Sequence, residues 1–153
     1  MIIQNKSMSA IKDDIIEQDE KYLIIGKVSQ IINKLEILND CLIVYSPTFD
    51  INDEEKFKLF FGDEIGFEAS QNEIDLTHEF DAEDKLSKSF VFLFFESFNK
   101  ELKEKYPDRT FCSIISLDDL SGWIFRFHTV RDNKLWIDRN IDNYSEPLAY
   151  EIF

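Results

Sequence analysis

Residues 81–107 read DAEDKLSKSFVFLFFESFNKELKEKYP and contain the longest apolar block of the chain. Apolar residues recur there every four positions and form one stripe, as a helix that packs against a core requires. The stripe consists of Leu86, Phe90, Phe94, Phe98, Leu102 and Tyr106. The apolar run 90–95 alone would also suit a buried strand, but the polar continuation FNKELKEKY favours a helix. The pattern therefore predicts a helix over residues 82–105 with Phe94 and Phe98 buried.

Signals for the two ends of this helix flank the stripe. Asp81 is the predicted N-cap, because an aspartate side chain can accept a hydrogen bond from the first turn. Glu83 and Asp84 would follow it, where the positive end of the helix dipole favours negative charge. Pro107 disfavours helical geometry at Tyr106, so we expect the helix to end there.

The rest of the chain predicts helices in its first half and strands after the central helix. We expect a helix over residues 19–38, a strand over 41–46, a short helix from the cap Asp53 to Phe60, and a strand over 74–80. Past residue 110 the apolar period becomes two. This period predicts strands over residues 111–117, 123–130, 135–137 and 147–153, with a tight turn over 131–134. The fold class is therefore α+β, a single domain over 1–153 with helices packed on a C-terminal antiparallel sheet.

Charge is concentrated in one segment of an acidic chain. The formal net charge is −14, which argues against direct binding to nucleic acid or to anionic membranes. Residues 50–84 contain thirteen acids against two lysines, a net charge of −11. Five apolar residues are interleaved with these acids and can anchor the segment in a fold: Phe57, Phe60, Phe61, Phe67 and Ile74.

The acidic segment is the predicted binding surface for a basic protein, since charge complementarity speeds association and selects partners. A solvated acidic face is the alternative interpretation. The predicted contact residues are Asp50, Asp53, Glu54, Glu55, Asp63, Glu64, Glu68, Glu73 and Asp75.

No motif in the chain indicates catalysis, a cofactor or a metal. The two histidines, His78 and His128, stand far apart, and no CxxC, HxxxH, GxSxG, GxGxxG or P-loop occurs. The run that begins at Asp50 has Glu55 and Phe61 where a calcium loop needs Gly and an acid. We therefore expect a protein that is not an enzyme and that uses no cofactor.

Compartment follows from the absence of targeting signals. The N-terminal residues do not resemble a signal peptide, and no apolar run approaches the length of a membrane span. A cytoplasmic location is expected, with Cys41 and Cys112 as buried thiols rather than a disulfide.

Residues 122–152 read GWIFRFHTVRDNKLWIDRNIDNYSEPLAYEI and resemble the tails of small bacterial immunity proteins. Those proteins protect cells from the toxin domains of contact-dependent growth inhibition and other polymorphic toxin systems. The resemblance implies a cytoplasmic inhibitor, without enzyme activity, that covers the active site of a cognate toxin. Many such toxins are nucleases with basic clefts, which an acidic partner would suit. The resemblance supplies no matched binding motif.

Two other functions fit parts of the sequence. Trp123, Arg126 and His128 in one strand would suit a small-molecule-binding domain or an enzyme, if they lined a common cleft. Alternation in this strand puts Trp123, Phe125 and Phe127 on one face and Ile124, Arg126, His128 and Val130 on the other. The acidic surface would also suit a nucleic-acid mimic that binds a DNA-handling protein.

Overall fold

The structure is a computed structural model that describes residues 1–82 and 86–153. The fold is α+β, as predicted. In chain order the elements are β1 Ile3–Gln4, α1 Lys6–Ser9, α2 Gln18–Asn33, β2 Glu36–Leu38, β3 Cys41–Ile43, α3 Glu54–Phe61, α4 Glu64–Gln71, β4 Ile74–Asp75, α5 Leu76–Glu79, α6 Lys88–Lys105, β5 Phe111–Asp118, β6 Gly122–Thr129, a 3₁₀ turn Ile141–Asn143 and β7 Leu148–Ile152.

Five strands form one antiparallel sheet in the order β1-β7-β5-β6-β4. The predicted alternation is confirmed, because Trp123, Phe125 and Phe127 all point into the main core. The helix α6 packs on that face, and the Phe98 ring lies 4.8 Å from Phe125 and 5.1 Å from Phe127, centroid to centroid. The long helix α2 packs beside α6 and adds four buried side chains to the same core: Ile24, Val28, Ile31 and Ile32.

The central helix confirms the predicted burial but begins later than predicted. Phe94 and Phe98 are fully buried, and α6 ends at Lys105, just before Pro107. The N-cap is Ser87, whose side chain accepts a hydrogen bond from the Phe90 N–H, so the prediction of Asp81 was wrong. Asp81 has a φ of +48° and follows the short helix α5, so it lies outside any helix. Glu83 and Asp84, which were predicted to follow the N-cap, lie outside the described part of the chain.

The first long helix is shorter than predicted, because residues 36–43 form a hairpin. Strands β2 and β3 pair in antiparallel register, with Ile37 opposite Leu42. Asn39 and Asp40 have φ values of +48° and +64° and form the hairpin turn. Asparagine and aspartate tolerate this left-handed geometry better than other residues with a side chain.

The acidic segment is mostly helical. Helix α3 begins after Asp53, as predicted, but residues 64–71 form a second helix, α4, that was not expected. Gly66 permits the tight α3–α4 junction, because a Cβ there would lie 2.1 Å from the Phe61 carbonyl oxygen. The predicted strand over residues 74–80 is confirmed only for Ile74 and Asp75, since residues 76–79 form α5.

After β6 the chain turns as predicted but forms no strand at residues 135–137. Asp132 and Asn133 have φ values of +50° and +57° in the turn, and the chain then continues irregularly to the 3₁₀ turn. The edge of β6 that this segment would need is already hydrogen-bonded, at Phe127 by the side chain of Asn72 and at Thr129 by that of Glu68. The predicted last strand is confirmed as β7, which pairs with β5.

Candidate functional site

Aromatic side chains fix the two acidic helices to the body of the protein. Phe57 and Phe61 on the inner side of α3 contact Phe67 of α4, with ring centroids 5.2 Å apart in both pairs. Phe49 stacks on Phe61 at 5.5 Å. Phe67 is buried against Cys41 and Ile43 of strand β3. The outer surface of α3 and α4 is therefore presented from a packed support, as a preformed binding surface requires.

Two polar side chains, one in α4 and one directly after it, connect strand β3 to strand β6. The Asn72 amide nitrogen donates to the carbonyl oxygens of Leu42 and Phe127, at 2.8 and 3.1 Å, and its oxygen accepts from the Val44 N–H. Glu68, one turn earlier, accepts from the backbone N–H groups of Leu42 and Thr129, at 2.8 and 2.6 Å. Side chains thus satisfy two strand edges that have no neighbouring strand at these positions.

Glu68 is a structural residue and not a surface contact. Its side chain is fully buried, and its Oε2 atom accepts a hydrogen bond from Nη1 of Arg131 at 2.7 Å, which forms a salt bridge. A partner that docks on the folded protein cannot reach it. Its prediction as a contact residue was wrong, because its hydrogen-bond partners Leu42 and Thr129 lie far away in sequence.

Four other predicted contact residues also have a role within the fold. Asp53, Asp63 and Asp75 are the N-caps of α3, α4 and α5, and each accepts the backbone N–H three positions further on. Glu73 binds Arg126 in a more exposed ion pair, with 49% of the glutamate side chain accessible. The helix caps explain why aspartate stands at these three positions whether or not a partner binds there.

The remaining four predicted residues are exposed: Asp50, Glu54, Glu55 and Glu64. Within the described part of the chain, none of them forms a salt bridge. Asp50 holds its own loop by accepting hydrogen bonds from the backbone and side chain of Asn52, both at 3.0 Å. Glu54 and Glu64 begin α3 and α4, so the fold brings together two acids that are ten positions apart.

Glu54 and Glu64 line a cavity of about 350 Å³, here called the acidic pocket. Its other lining residues come from the β2–β3 hairpin, the loop before α3 and the inner sides of both helices: Leu38, Asn39, Cys41, Ile51, Asn52, Phe57 and Phe67. The pocket therefore combines two carboxylates and two asparagines with apolar side chains, in about equal measure. Lysine and arginine bury an apolar stem while their charged head stays with polar groups, so either side chain matches this lining.

Cys41 contributes packing to the pocket rather than a nucleophile. Burial, with a smaller effect of the Glu68 carboxylate, raises the pKa of the Cys41 thiol to about 11. The thiol is therefore protonated at neutral pH, whereas the thiolate is the reactive form. Cys112 is also buried, and burial raises its pKa to about 12. Both residues are free cysteines, as predicted.

Two exposed apolar side chains of α3 adjoin the acids and were missed as surface residues. Leu59 is 79% exposed and Phe60 is 65% exposed, although Phe60 was expected to help anchor the segment. Helical spacing alone could not show this, because Phe60 stands three positions after Phe57, a spacing that normally places two side chains on the same face. Exposed apolar side chains beside charges are typical of protein interfaces.

The structure does not bring Trp123, Arg126 and His128 into one cleft. Trp123 points into the main core, where its indole N–H donates to the Leu86 carbonyl oxygen at 2.9 Å. His128 is on the other face and is also fully buried. Arg126 alone of the three lines a cavity on the outer face of the sheet.

Residues 1–82 and 86–153 contain neither a metal-binding cluster nor a membrane-spanning helix. No group of three or more His, Cys, Asp or Glu side chains is placed to hold a metal ion. No helix in these ranges is both long enough and apolar enough to cross a membrane.

Comparisons with known proteins identify a family. No curated protein and no solved structure matches the chain. One family model, described as the uncharacterized protein PM0498 family, matches residues 3–152, which is nearly the whole sequence. The chain therefore belongs to the uncharacterized protein PM0498 family.

Proposed function

We propose that this protein is a cytoplasmic immunity protein, without enzyme activity, that binds and neutralises a cognate bacterial toxin domain. The binding surface consists of the outer sides of α3 and α4 and the acidic pocket between them. The toxin domain is basic, and a nuclease is the class that best suits an acidic inhibitor.

The observation that carries this proposal is the convergence of Glu54 and Glu64 at the acidic pocket. A solvated acidic face would need no cavity and no apolar lining beside its carboxylates. Here Glu54 and Glu64, which form no salt bridge in the described part of the chain, line the same pocket as three apolar side chains. Those side chains are Phe57, Phe67 and Cys41. A lysine or arginine of the toxin would fill the pocket with its stem and pair its charge with the two carboxylates.

Charge and shape have separate roles in the proposed complex. The net charge of −14 attracts a basic domain over distance and raises the association rate. Leu59 and Phe60 supply exposed apolar contact area on α3, which slows dissociation once the two proteins have docked. A nuclease active site must attract nucleic-acid phosphates and is therefore basic, so the same charge would guide the inhibitor to it.

The test is protection of growing cells from a toxin. The proposal expects a neighbouring gene to encode a large secreted protein, and the toxin domain of that protein is expressed in cells with or without this protein. We expect wild type to restore growth, Glu54→Lys/Glu64→Lys to fail, and Glu104→Lys, a reversal on the distant helix α6, to protect like wild type. Far-ultraviolet circular dichroism of each variant confirms that the fold is retained.

Two results would contradict the proposal. One is a neighbouring gene that encodes no toxin. The other is full protection by Glu54→Lys/Glu64→Lys, which would show that the acidic pocket does not contact the toxin.

A further inference from the structure

The outer face of the sheet carries a groove centred on Trp136, well separated in sequence from the acidic helices. Three adjoining cavities of about 400, 240 and 350 Å³ are all lined in part by this one side chain. The first lies over β5 and β6, the second passes between Arg126 and Phe60, and the third reaches Gly62 and Asp63 at the α3–α4 junction. The groove therefore ends beside the surface proposed to bind the toxin.

Trp136 is held in place although 46% of it is exposed. Its backbone N–H donates to Nε2 of the buried His128 at 3.3 Å. The Arg126 guanidinium lies over its indole ring, 5.3 Å from the ring centroid. Arg126 is itself fixed by Glu73, whose Oε2 accepts from its Nε at 3.1 Å. A rigid, exposed tryptophan beside an arginine is the composition typical of interface residues that dominate binding energy.

The largest of the three cavities combines an apolar floor with negative charge. Ile114, Ile124 and Leu148 form part of its lining, together with the carboxylates of Asp118 and Glu146. In the part of the chain that the structure describes, these two acids form no salt bridge, whereas Arg126 is neutralised by Glu73. Backbone hydrogen bonds from Ser121 and Leu120 lower the pKa of Asp118, so this carboxyl is charged at neutral pH.

We propose that this groove binds an extended basic segment of the same protein partner, with Trp136 as its main apolar contact. The inference rests on the proposed function for the identity of the partner. The occupant follows from charge complementarity, because Asp118 and Glu146 attract cationic side chains. A second copy of this chain is disfavoured, since each copy carries a net charge of −14. Lys134 lies only at the far end, where Asp63 lines the same cavity.

The two tryptophans allow a test with an internal control. An end-capped peptide of alternating arginine and alanine is titrated into ¹⁵N-labelled protein, and the two indole N–H signals are followed by NMR. We expect the Trp136 signal to shift and saturate, while the signal of Trp123, which is buried and bonded to Leu86, stays fixed. The corresponding glutamate–alanine peptide should leave both signals unchanged.

Variants then separate groove binding from general attraction to an acidic protein. Asp118→Asn/Glu146→Gln removes two charges while it keeps the side-chain size, and should weaken peptide affinity at the groove at least about fivefold. Leu120→Ala, a change at a nearby residue that is 97% exposed and lies outside the groove, should have no effect.

Equal affinity of the Asp118→Asn/Glu146→Gln variant and wild type would overturn the inference. A peptide that shifts only signals of α3 and α4 would also overturn it, and would leave the proposed function intact. If the toxin domain fails to bind at all while the peptide still binds at Trp136, the proposed function is refuted. The inference that the groove binds a basic segment is then still supported.

Discussion

Replacing Glu68 by alanine should destabilise the protein more than any other change at the predicted acidic surface. The side chain is fully buried and makes four kinds of contact, to Leu42 N–H, Thr129 N–H, Thr129 hydroxyl and the Arg131 guanidinium. Removing one member of a buried ion pair typically costs about 3–5 kcal/mol, and each buried donor left without an acceptor about 1–3 kcal/mol. Arg131 is 22% exposed and Thr129 is partly exposed, so water can compensate some of this loss. We expect the free energy of unfolding to fall by about 4 kcal/mol.

The assay is urea denaturation followed by circular dichroism, with Glu73→Ala as the matched control. Glu73 also pairs with an arginine, but 49% of its side chain is exposed, and exposed pairs contribute about 0–1 kcal/mol. A double-mutant cycle with Arg131→Ala measures the coupling within the buried pair. If Glu68→Ala costs less than about 1 kcal/mol, in the range of an exposed pair, Glu68 does not hold β3 to β6. Glu68 would then again be a candidate contact residue on the acidic surface.

Three further predictions concern the core, the thiols and pH. Phe98→Ala should lower the free energy of unfolding by about 3–5 kcal/mol, because the buried ring packs among other aromatic rings; a loss under about 1 kcal/mol would refute this packing. Cys41 and Cys112 should react with a thiol reagent slowly in the native protein and fully after denaturation in urea; fast native reaction would contradict their burial and raised pKa values. Burial lowers the pKa of His128 in the folded protein. In the unfolded chain a histidine has a pKa of about 6.5 and therefore binds more protons than the folded protein in mildly acidic solution. The free energy of unfolding should consequently fall as pH drops from 7 toward 5.5. His128→Gln should flatten this dependence and His78→Gln should not; equal slopes would refute the assignment.

Periodicity predicted the central helix and the three longest strands of the sheet, because those elements are defined by residues close in sequence. The four-residue spacing of Phe90, Phe94 and Phe98 defines the buried side of α6, and alternation defines the inward side of β6. Helix ends were harder to predict, since Asp81 and Ser87 are both good capping residues and the choice depends on where α5 ends.

The candidate site was predicted as a charged segment but not as an arrangement of residues. Composition cannot distinguish Glu68, which binds backbone groups of two distant strands, from Glu54, which faces solvent. The pocket shared by Glu54 and Glu64 depends on the unpredicted helix α4, and α4 depends on Gly66 for its close approach to α3. Signals for α4 were nevertheless present, because Asp63 caps it and Ile65 and Ala69 share its buried side.

The central claim is that the toxin domain docks at the acidic pocket, and rate constants test it most directly. Association and dissociation are measured between about 0.05 and 0.3 M salt, a range over which exposed charges become strongly screened. The variants are Glu54→Gln/Glu64→Gln and, as the matched control, Glu55→Gln, since Glu55 lies in the same first turn of α3 but does not line the pocket.

The proposal predicts a wild-type association rate that falls as salt rises. It predicts that Glu54→Gln/Glu64→Gln dissociates at least about tenfold faster, a loss of about 1.4 kcal/mol or more, at every salt concentration. Glu55→Gln should alter only the association rate, and only slightly. Equal dissociation rates for Glu54→Gln/Glu64→Gln and Glu55→Gln would show that the acidic pocket is not the docking site.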